Sequence, residues 1–387
     1  MAEVVEELRR LVAWPTVSSV SGQLPGDADR PLVELAAHLA QRAEDLGFRI
    51  DRFEPAGQPG KCSVVASIGP DDVDGGLVIS GHMDVVPTEG QPWSSDPFRM
   101  EERDGRLYGR GTADMKGFLA AATVGLARIP RHAWKKRLVL IWTHDEEIGC
   151  LGSQALVNAW SAGPMPTACW IGEPTGFRIL RMHPGHVAVE VVVHGQAAHS
   201  SRPDLGVNAI EGAADVVREV RALAAELAAE AATDLPEMDR PVVAVNVAGI
   251  AGGVAVNVVP DRCAVTIGYR PLPRRDPLEV WERLRDRIER IGLVARWDGH
   301  VLRVTPPMYT PAGTALEPLL DAHAHDHRLG AASFATDGGN LAKLGMQPLV
   351  FGPGAIEVAH MADEHVAVAD LVRAVDVVED VVRTRCC

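Results

Sequence analysis

The sequence predicts an α/β fold: a mixed, mostly parallel sheet flanked by helices, interrupted by an inserted α+β unit. Three observations predict it. Short apolar runs of strand length alternate with helical patterns in both outer parts of the chain, as in a sheet covered on both faces. In the middle, "HVAVEVVVHG" and "DRCAVTIGYRPLP" alternate apolar and polar residues, as half-exposed antiparallel strands do. And 387 residues suffice for two domains, or for one large domain carrying an insertion.

The elements follow in order. "MAEVVEELRR" reads as an amphipathic charged helix, without the basic start and apolar core of a signal peptide. A helix fits 31–46, closed by Gly47. Strands fit 62–68 and 77–80, a helix 115–129, a strand 138–143, a helix 153–160 and a strand 168–172. These make 1–181 the first part of one domain. The insertion spans 182–305 and adds helices at 207–231 and 277–291. The Ala/Val/Leu stripe of 207–231 reads as core or interface. Residues 306–387 complete the first domain with a strand at 348–351 and a helix from Val368.

Composition narrows the function. Hydrophobic residues at 47% and charged residues at 23% are the balance of a folded globular chain. A net charge of −14 argues against nucleic acid and anionic membranes as partners. No apolar run is long enough to span a bilayer. Cys62, Cys150, Cys169, Cys263, Cys386 and Cys387 form no C-x-x-C pair, so they read as reduced thiols of a cytoplasmic protein, the last two on a frayed tail.

Acids and histidines recur where apolar runs end. "LVISGHMD" delivers His82 and Asp84, "LVLIWTHDEE" delivers Glu146 and Glu147, and "ACWIGEPT" delivers Glu173. Asp114 opens a helix in "GRGTADMKG", and His360 lies in "GPGAIEVAHMADE" beyond another strand. In open α/β sheets, ligands bind at the carboxyl ends of strands. Carboxylates with imidazoles suit zinc or a similar divalent metal. Asp114, Glu147 and Glu173 roughly balance two such ions but over-compensate one, and Asp114 can bridge through its two oxygens. His82 and His360 would then cap one metal each. Neighbouring side chains leaving a strand point in different directions, so Glu147 can face a metal while Glu146 serves as a base.

Other features read as structural. His323 and His327 of "HAHDH", with His325 between them, fit an exposed face of a helix-like stretch. "GIAGGVAVN" and "GRLYGRG" lack the spacing of a dinucleotide loop. No G-x-S-x-G turn presents a serine nucleophile.

The set "SGHMDVVP", "GRLYGRGTADMKGF", "THDEEIG", "IGEPT", "AAHSSRPDLGVNAI" and "FGPGAIEVAHMADEHV" resembles the di-zinc amidohydrolase family of acetylornithine deacetylase, succinyl-diaminopimelate desuccinylase, aminoacylase and carboxypeptidase. The resemblance covers essentially the whole chain and is nearest to the bacterial acetylornithine deacetylases. It implies two Zn²⁺, replaceable by Co²⁺ or Mn²⁺, with His82, Asp114 and Glu173 on one and Asp114, Glu147 and His360 on the other. It implies Glu146 as general base, Asp84 as the carboxylate that orients His82, and a cis peptide after Asp114. It makes the insertion a lid and dimerisation domain, with His199 stabilising the oxyanion, often across a homodimer. Asn257 and Arg270 match positions that hold the substrate's carboxylate. Asp337, in "FATDGGN", is a candidate for the substrate's side chain, as is Asp96. The implied substrate is a small N-acyl amino acid, foremost N-acetylornithine in arginine biosynthesis. The rivals are a desuccinylase, an aminoacylase or a dipeptidase and, outside enzymes, an inactive binding protein on the same scaffold.

Overall fold

The computed structural model describes residues 1–18, 30–55, 57–58 and 60–387. They fall into two compact units: Met1–Met182 with Tyr309–Gly330 and Thr336–Cys387, and His183–Met308 with Ala331–Ala335.

The first unit is built on a nine-stranded sheet. Its centre is parallel: Leu138–Thr143, Leu77–His82, Ala168–Ile171 and Gln347–Val350 lie side by side in that order. Arg49–Phe53 and Ser63–Ile68 extend it antiparallel on the Leu138–Thr143 side. The two central strands are buried along their whole length, which explains why they are mostly apolar. Helix Lys116–Ala127 is buried nearly all round, between the sheet and the helices Ala2–Val12 and Val368–Cys386. Two glycines let this helix come close. A Cβ on Gly81 would meet Met115 Cε at 2.7 Å, and one on Gly172 would meet the Phe118 ring at 1.8 Å. Each glycine directly precedes a candidate ligand, His82 or Glu173.

The second unit is a four-stranded antiparallel sheet, ordered Ala244–Gly252, Arg262–Arg270, His186–His194, Arg296–Thr305. Helices Ala209–Ala229 and Glu279–Ile291 bury one face of it against Val187, Val189, Val191, Val193, Val265 and Ile267. The Asn208 side chain caps the first of these helices by accepting the Ile210 N–H.

Two expectations are corrected. Cys386 is fully buried in the last helix, and its carbonyl accepts the N–H of Lys135 and Lys136, so this end of the chain is anchored. The helix before the histidine run stops at Asp321, and His327 belongs to the strand Asp326–Ala331. His323 and His327 therefore share no helical face. His323 pairs with Asp380 at 2.8 Å, His327 with Asp321 at 3.0 Å, and His325 lies against Arg373. No helix among the described residues is long and apolar enough to cross a membrane.

Candidate active site

Three neighbouring parallel strands end together. His82 pairs in register with Thr143, and Ser80 with Ile171, so the chain leaves all three strands at one sheet edge. There His82, the Asp145–Glu147 loop and Glu173 emerge beside Asp114, one residue before Met115, the N-cap of the buried helix Lys116–Ala127.

Their atoms form two half-sites that share Asp114. His82 Nε2 is 3.1 Å from Asp114 Oδ1 and 3.8 Å from Glu173 Oε2. His360 Nε2 is 3.2 Å from Asp114 Oδ2 and 2.9 Å from Glu147 Oε2. One aspartate oxygen thus faces each imidazole. The Asp114–Met115 peptide is cis.

Burial and crowding set the proton affinities. Burial and the neighbouring Asp114 raise Glu147 to about 7 and Glu173 to about 8. Burial would pull His82 down, but Glu173 and Asp114 hold it well above the usual histidine range. Hydrogen bonds to Asp114 and Glu147 raise His360 to about 10. Asp114 runs the other way: burial opposes its charge, yet the two histidines hold it below the ordinary carboxylate range. Among the described residues no lysine or arginine pairs with Asp114, Glu147 or Glu173. Buried carboxylates without cations are costly. His82, Asp114 and Glu147 bring one donor atom each within 4.8 Å of one another, and with Glu173 and His360 at the distances above they form an oxygen-and-nitrogen donor set that fits divalent cations.

Glu146 turns away from this set. It is 9% exposed, and Cys150 Sγ donates to its Oε1 at 3.3 Å. Burial raises its carboxyl well above the usual range, with Glu173, Asp337 and Glu147 adding to the effect against the opposing charge of His82.

Asp84 has a different place from the one expected. The oxygen at hydrogen-bond distance from His82 Nδ1 is the Asp84 carbonyl, at 2.9 Å, while its carboxylate stands 3.7 Å away. The carboxylate oxygens accept the N–H groups of Glu146 and Glu147 at 3.0 and 3.1 Å. Asp84 thus ties the His82 strand end to the double-glutamate loop. A second tie escaped the sequence reading: Lys61 Nζ meets Asp145 Oδ1 at 2.9 Å, both side chains buried. Asp145 sits at φ 52°, the left-handed turn that sends Glu146 and Glu147 off the strand.

Asp337 is also relocated. It is 2% exposed, Thr143 Oγ1 donates to its Oδ2 at 2.5 Å, and it clusters with Glu146 and Cys150. That position is beside Glu146, not on an open pocket wall. Asp96 accepts the Phe98 N–H of its own turn.

The remaining expected residues lie in the second unit. His199 is exposed, and its Nδ1 accepts the Ser201 N–H at 3.2 Å, which leaves Nε2 to carry the ring proton. Exposed Asn257 lies next to it, its carbonyl accepting the Ser200 N–H at 3.0 Å. Arg270 is half-buried and lines a cavity of about 370 Å³ with Met238, Asp239 and Arg240. Arg270 is two residues past the pair Gly268↔Ala188, at the His186 end of the sheet, whereas His199 follows the His194 end. A nine-residue strand separates those ends, roughly 27 Å at ~3.4 Å per residue. The structure thus brings His199 and Asn257 together and sets Arg270 apart from them.

The chain belongs to peptidase family M20/M25/M40, whose profile matches residues 78–384, and it is a hydrolase of that family. Within the family it is similar to acetylornithine deacetylases. It is 33% identical over 368 residues to that of Edwardsiella ictaluri, across 93% of this chain and 91% of the relative. It is 35% identical over 351 residues to that of Myxococcus xanthus, across 89% and 90%. Among solved structures, an M20 family metallo-carboxypeptidase from Sulfolobus solfataricus shares the fold with a TM-score of 0.74, at 20% identity and 99% coverage of both chains. A dinuclear metal-binding M20 peptidase from Bacillus subtilis shares it with a TM-score of 0.70, at 15% identity, across 99% of this chain and 97% of the other.

Proposed function

We propose that this protein is a metal-dependent amidohydrolase that removes the acetyl group from N-acetyl-L-ornithine, giving ornithine and acetate. The observation that carries the reading is Asp114, one oxygen toward His82 and the other toward His360, with Glu146 held nearby but outside both half-sites. The names of the similar deacetylases support the choice of substrate.

His82, Asp114 and Glu173 would hold one divalent ion, and Asp114, Glu147 and His360 a second. Zinc is the proposed metal, with cobalt or manganese able to substitute. When bound, the pair supplies Lewis acidity that polarises the amide carbonyl and makes water a better nucleophile. The rest of the chemistry belongs to side chains. Glu146 takes the proton from the attacking water and returns it to the departing amine nitrogen, a task suited to a buried carboxyl of raised proton affinity. Asp84 keeps Glu146 and Glu147 apart by gripping their amides. Arg270 binds the substrate's carboxylate through its fork. His199, with its proton on Nε2, donates to the developing oxyanion, and Asn257 assists Arg270 on the carboxylate.

The separation of Arg270 from His199 and Asn257 favours a homodimer in which each active site takes Arg270 from one chain and His199 from the other. A kinetic screen over acetylornithine, succinyl-diaminopimelate, acetylmethionine, acetylcitrulline and a dipeptide tests the assignment. Highest kcat/KM on acetylornithine supports it. A different winner reassigns the enzyme to the corresponding desuccinylase, aminoacylase or dipeptidase. No turnover by metal-loaded protein on any of the five counts for a binding protein.

A further inference from the structure

We propose that Glu364, Arg110 and Gln91 are positioning residues that fix the spacing between Asp114 and His360 by linking their backbones. The inference rests on the metal assignment proposed above.

Glu364 is fully buried, and its two oxygens do different things. Oε1 accepts the backbone N–H groups of Ala113 and Asp114 at 2.9 and 3.0 Å. Oε2 receives Arg110 Nη1 at 2.6 Å, in an ion pair whose partners are 1% and 0% exposed. Arg110 then passes the link on. Its Nη2 donates to Gln91 Oε1 at 2.7 Å, and its guanidinium lies 5.0 Å from the Trp93 ring. Gln91 Nε2 donates to the His360 carbonyl at 2.8 Å.

The amide of Gln91 can take only one orientation here. Its oxygen accepts from both Arg110 and Trp93 Nε1, the latter at 3.0 Å, so its NH₂ must point at His360. His360 needs such a hold, because its φ is 61° and a non-glycine residue resists that conformation. Arg110 Nη1 reaches the next carbonyl, Met361 O, at 3.4 Å. The ring is closed on the other side by His360 Nε2 and Asp114 Oδ2, 3.2 Å apart. A buried ion pair serving only as core filler has no reason to end on the backbones of two candidate ligands. Partners behind a metal's ligands typically change affinity by about 10–100-fold when removed.

The experiment is a calorimetric Zn²⁺ titration of chelator-stripped protein, with melting of the metal-free form measured alongside. Gln91→Leu and Gln91→Glu both remove the N–H donor to His360. Each should weaken one of two binding steps by about 10–100-fold and leave the other step and the metal-free melting temperature unchanged. Glu364→Gln should weaken both steps, because Asp114 serves both half-sites. If Glu364→Gln fails to fold, the two Gln91 variants still decide. Wild-type protein binding two ions beside an unaltered Gln91→Leu overturns this proposal alone. Wild-type protein that takes up no divalent ion overturns it together with the metal assignment.

Discussion

Glu146 and Glu147 are adjacent in the chain, yet Glu147 Oε2 sits 2.9 Å from His360 Nε2 while Glu146 Oε1 accepts the Cys150 thiol at 3.3 Å. The divergence starts one residue earlier, where Asp145 adopts a left-handed turn. It is maintained by Asp84, whose two carboxylate oxygens hold one glutamate amide each. Two acids that would repel on a shared partner are thereby given separate ones.

The first prediction separates their roles. Glu146→Gln should retain both metals while kcat falls by about 10²–10⁴, the usual contribution of a general base. Glu147→Gln should lose metal from the half-site it shares with His360. Metal content by elemental analysis, beside steady-state kinetics, checks both. Equal metal loss in the two variants would reverse the assignment.

The second concerns what holds this loop. Removing one member of a buried ion pair strands the other, at a cost of about 3–5 kcal/mol. Lys61→Met takes away the buried cation that meets Asp145 Oδ1, so denaturant unfolding should show a loss of up to that order. Lys61→Met combined with Asp145→Asn should recover a large part of it. A single variant as stable as wild type would show that the pair contributes little.

The third is a pH dependence. Glu147 and Glu173 are raised from an ordinary 4.5 to about 7 and about 8. Their stabilising protons are fully in place below about pH 4.5 and lost as pH climbs through 7 and 8. His360, raised from 6.5 to about 10, acts in the same direction over a higher range. Asp114, lowered, opposes them only in acid, below its ordinary 3.8. Burial lowers His183 and His186 from 6.5 to about 4 and Lys116 from 10.5 to about 7, which opposes the trend below about pH 6.5 and above about pH 7. The raised groups, His82 and Glu146 among them, outnumber these, so metal-free protein should melt at progressively lower temperature from pH 5 to 9. Zinc-loaded protein should flatten that slope, because cation binding displaces the same protons. Melting curves with chelator and with zinc test this, and a metal-free melting temperature that rises across the range contradicts it.

The fourth addresses the second chain. His199→Ala should lower kcat by about 10²–10³ with metal content intact. Mixing it with Glu146→Gln, itself nearly inactive, should restore part of the activity in heterodimers if His199 acts on the partner's site. No recovery, with subunit exchange demonstrated, places His199 in its own chain's site or outside catalysis.

The sheet edge was legible because burial left a pattern: Leu77–His82, Leu138–Thr143 and Ala168–Ile171 are buried throughout and mostly apolar, and the acids or a histidine stand at their ends. The outer strands of the second unit were not. Ala244–Gly252 and Arg296–Thr305 are edge strands with few buried residues, and their core-facing Val245, Val247, Trp297 and Val304 are only partly buried, so the apolar pattern is weak. The hold of Asp84 on the two glutamates spans 62 and 63 residues, and that of Lys61 on Asp145 spans 84. Contacts at that separation leave no local signal. The surroundings of Asp337 were hidden for a related reason: a motif shows that an acid is present, while only the packing of Thr143 and Cys150 shows that it is enclosed.

The last prediction is the substrate's side chain. N-acetylornithine offers an acetamide, a carboxylate and, three carbons further out, an ammonium. If Arg270 takes the carboxylate as proposed, the cavity beside it carries Asp239 on its wall. Asp337 is enclosed next to Glu146 and has Thr143 on one oxygen. The two aspartates should therefore respond differently. Asp337→Asn should lower kcat on acetylornithine and acetylmethionine alike, because it alters the surroundings of the base shared by both reactions. Asp239→Asn should lower kcat/KM for acetylornithine by about 10–100-fold and leave acetylmethionine nearly unaffected, since an unpaired, desolvated ammonium costs a few kcal/mol and a thioether asks for no partner. Paired kinetics on the two substrates give the result directly. A ratio that moves with Asp337 and not with Asp239 returns the ammonium to Asp337. A wild-type enzyme that prefers acetylmethionine by about 100-fold makes this chain an aminoacylase.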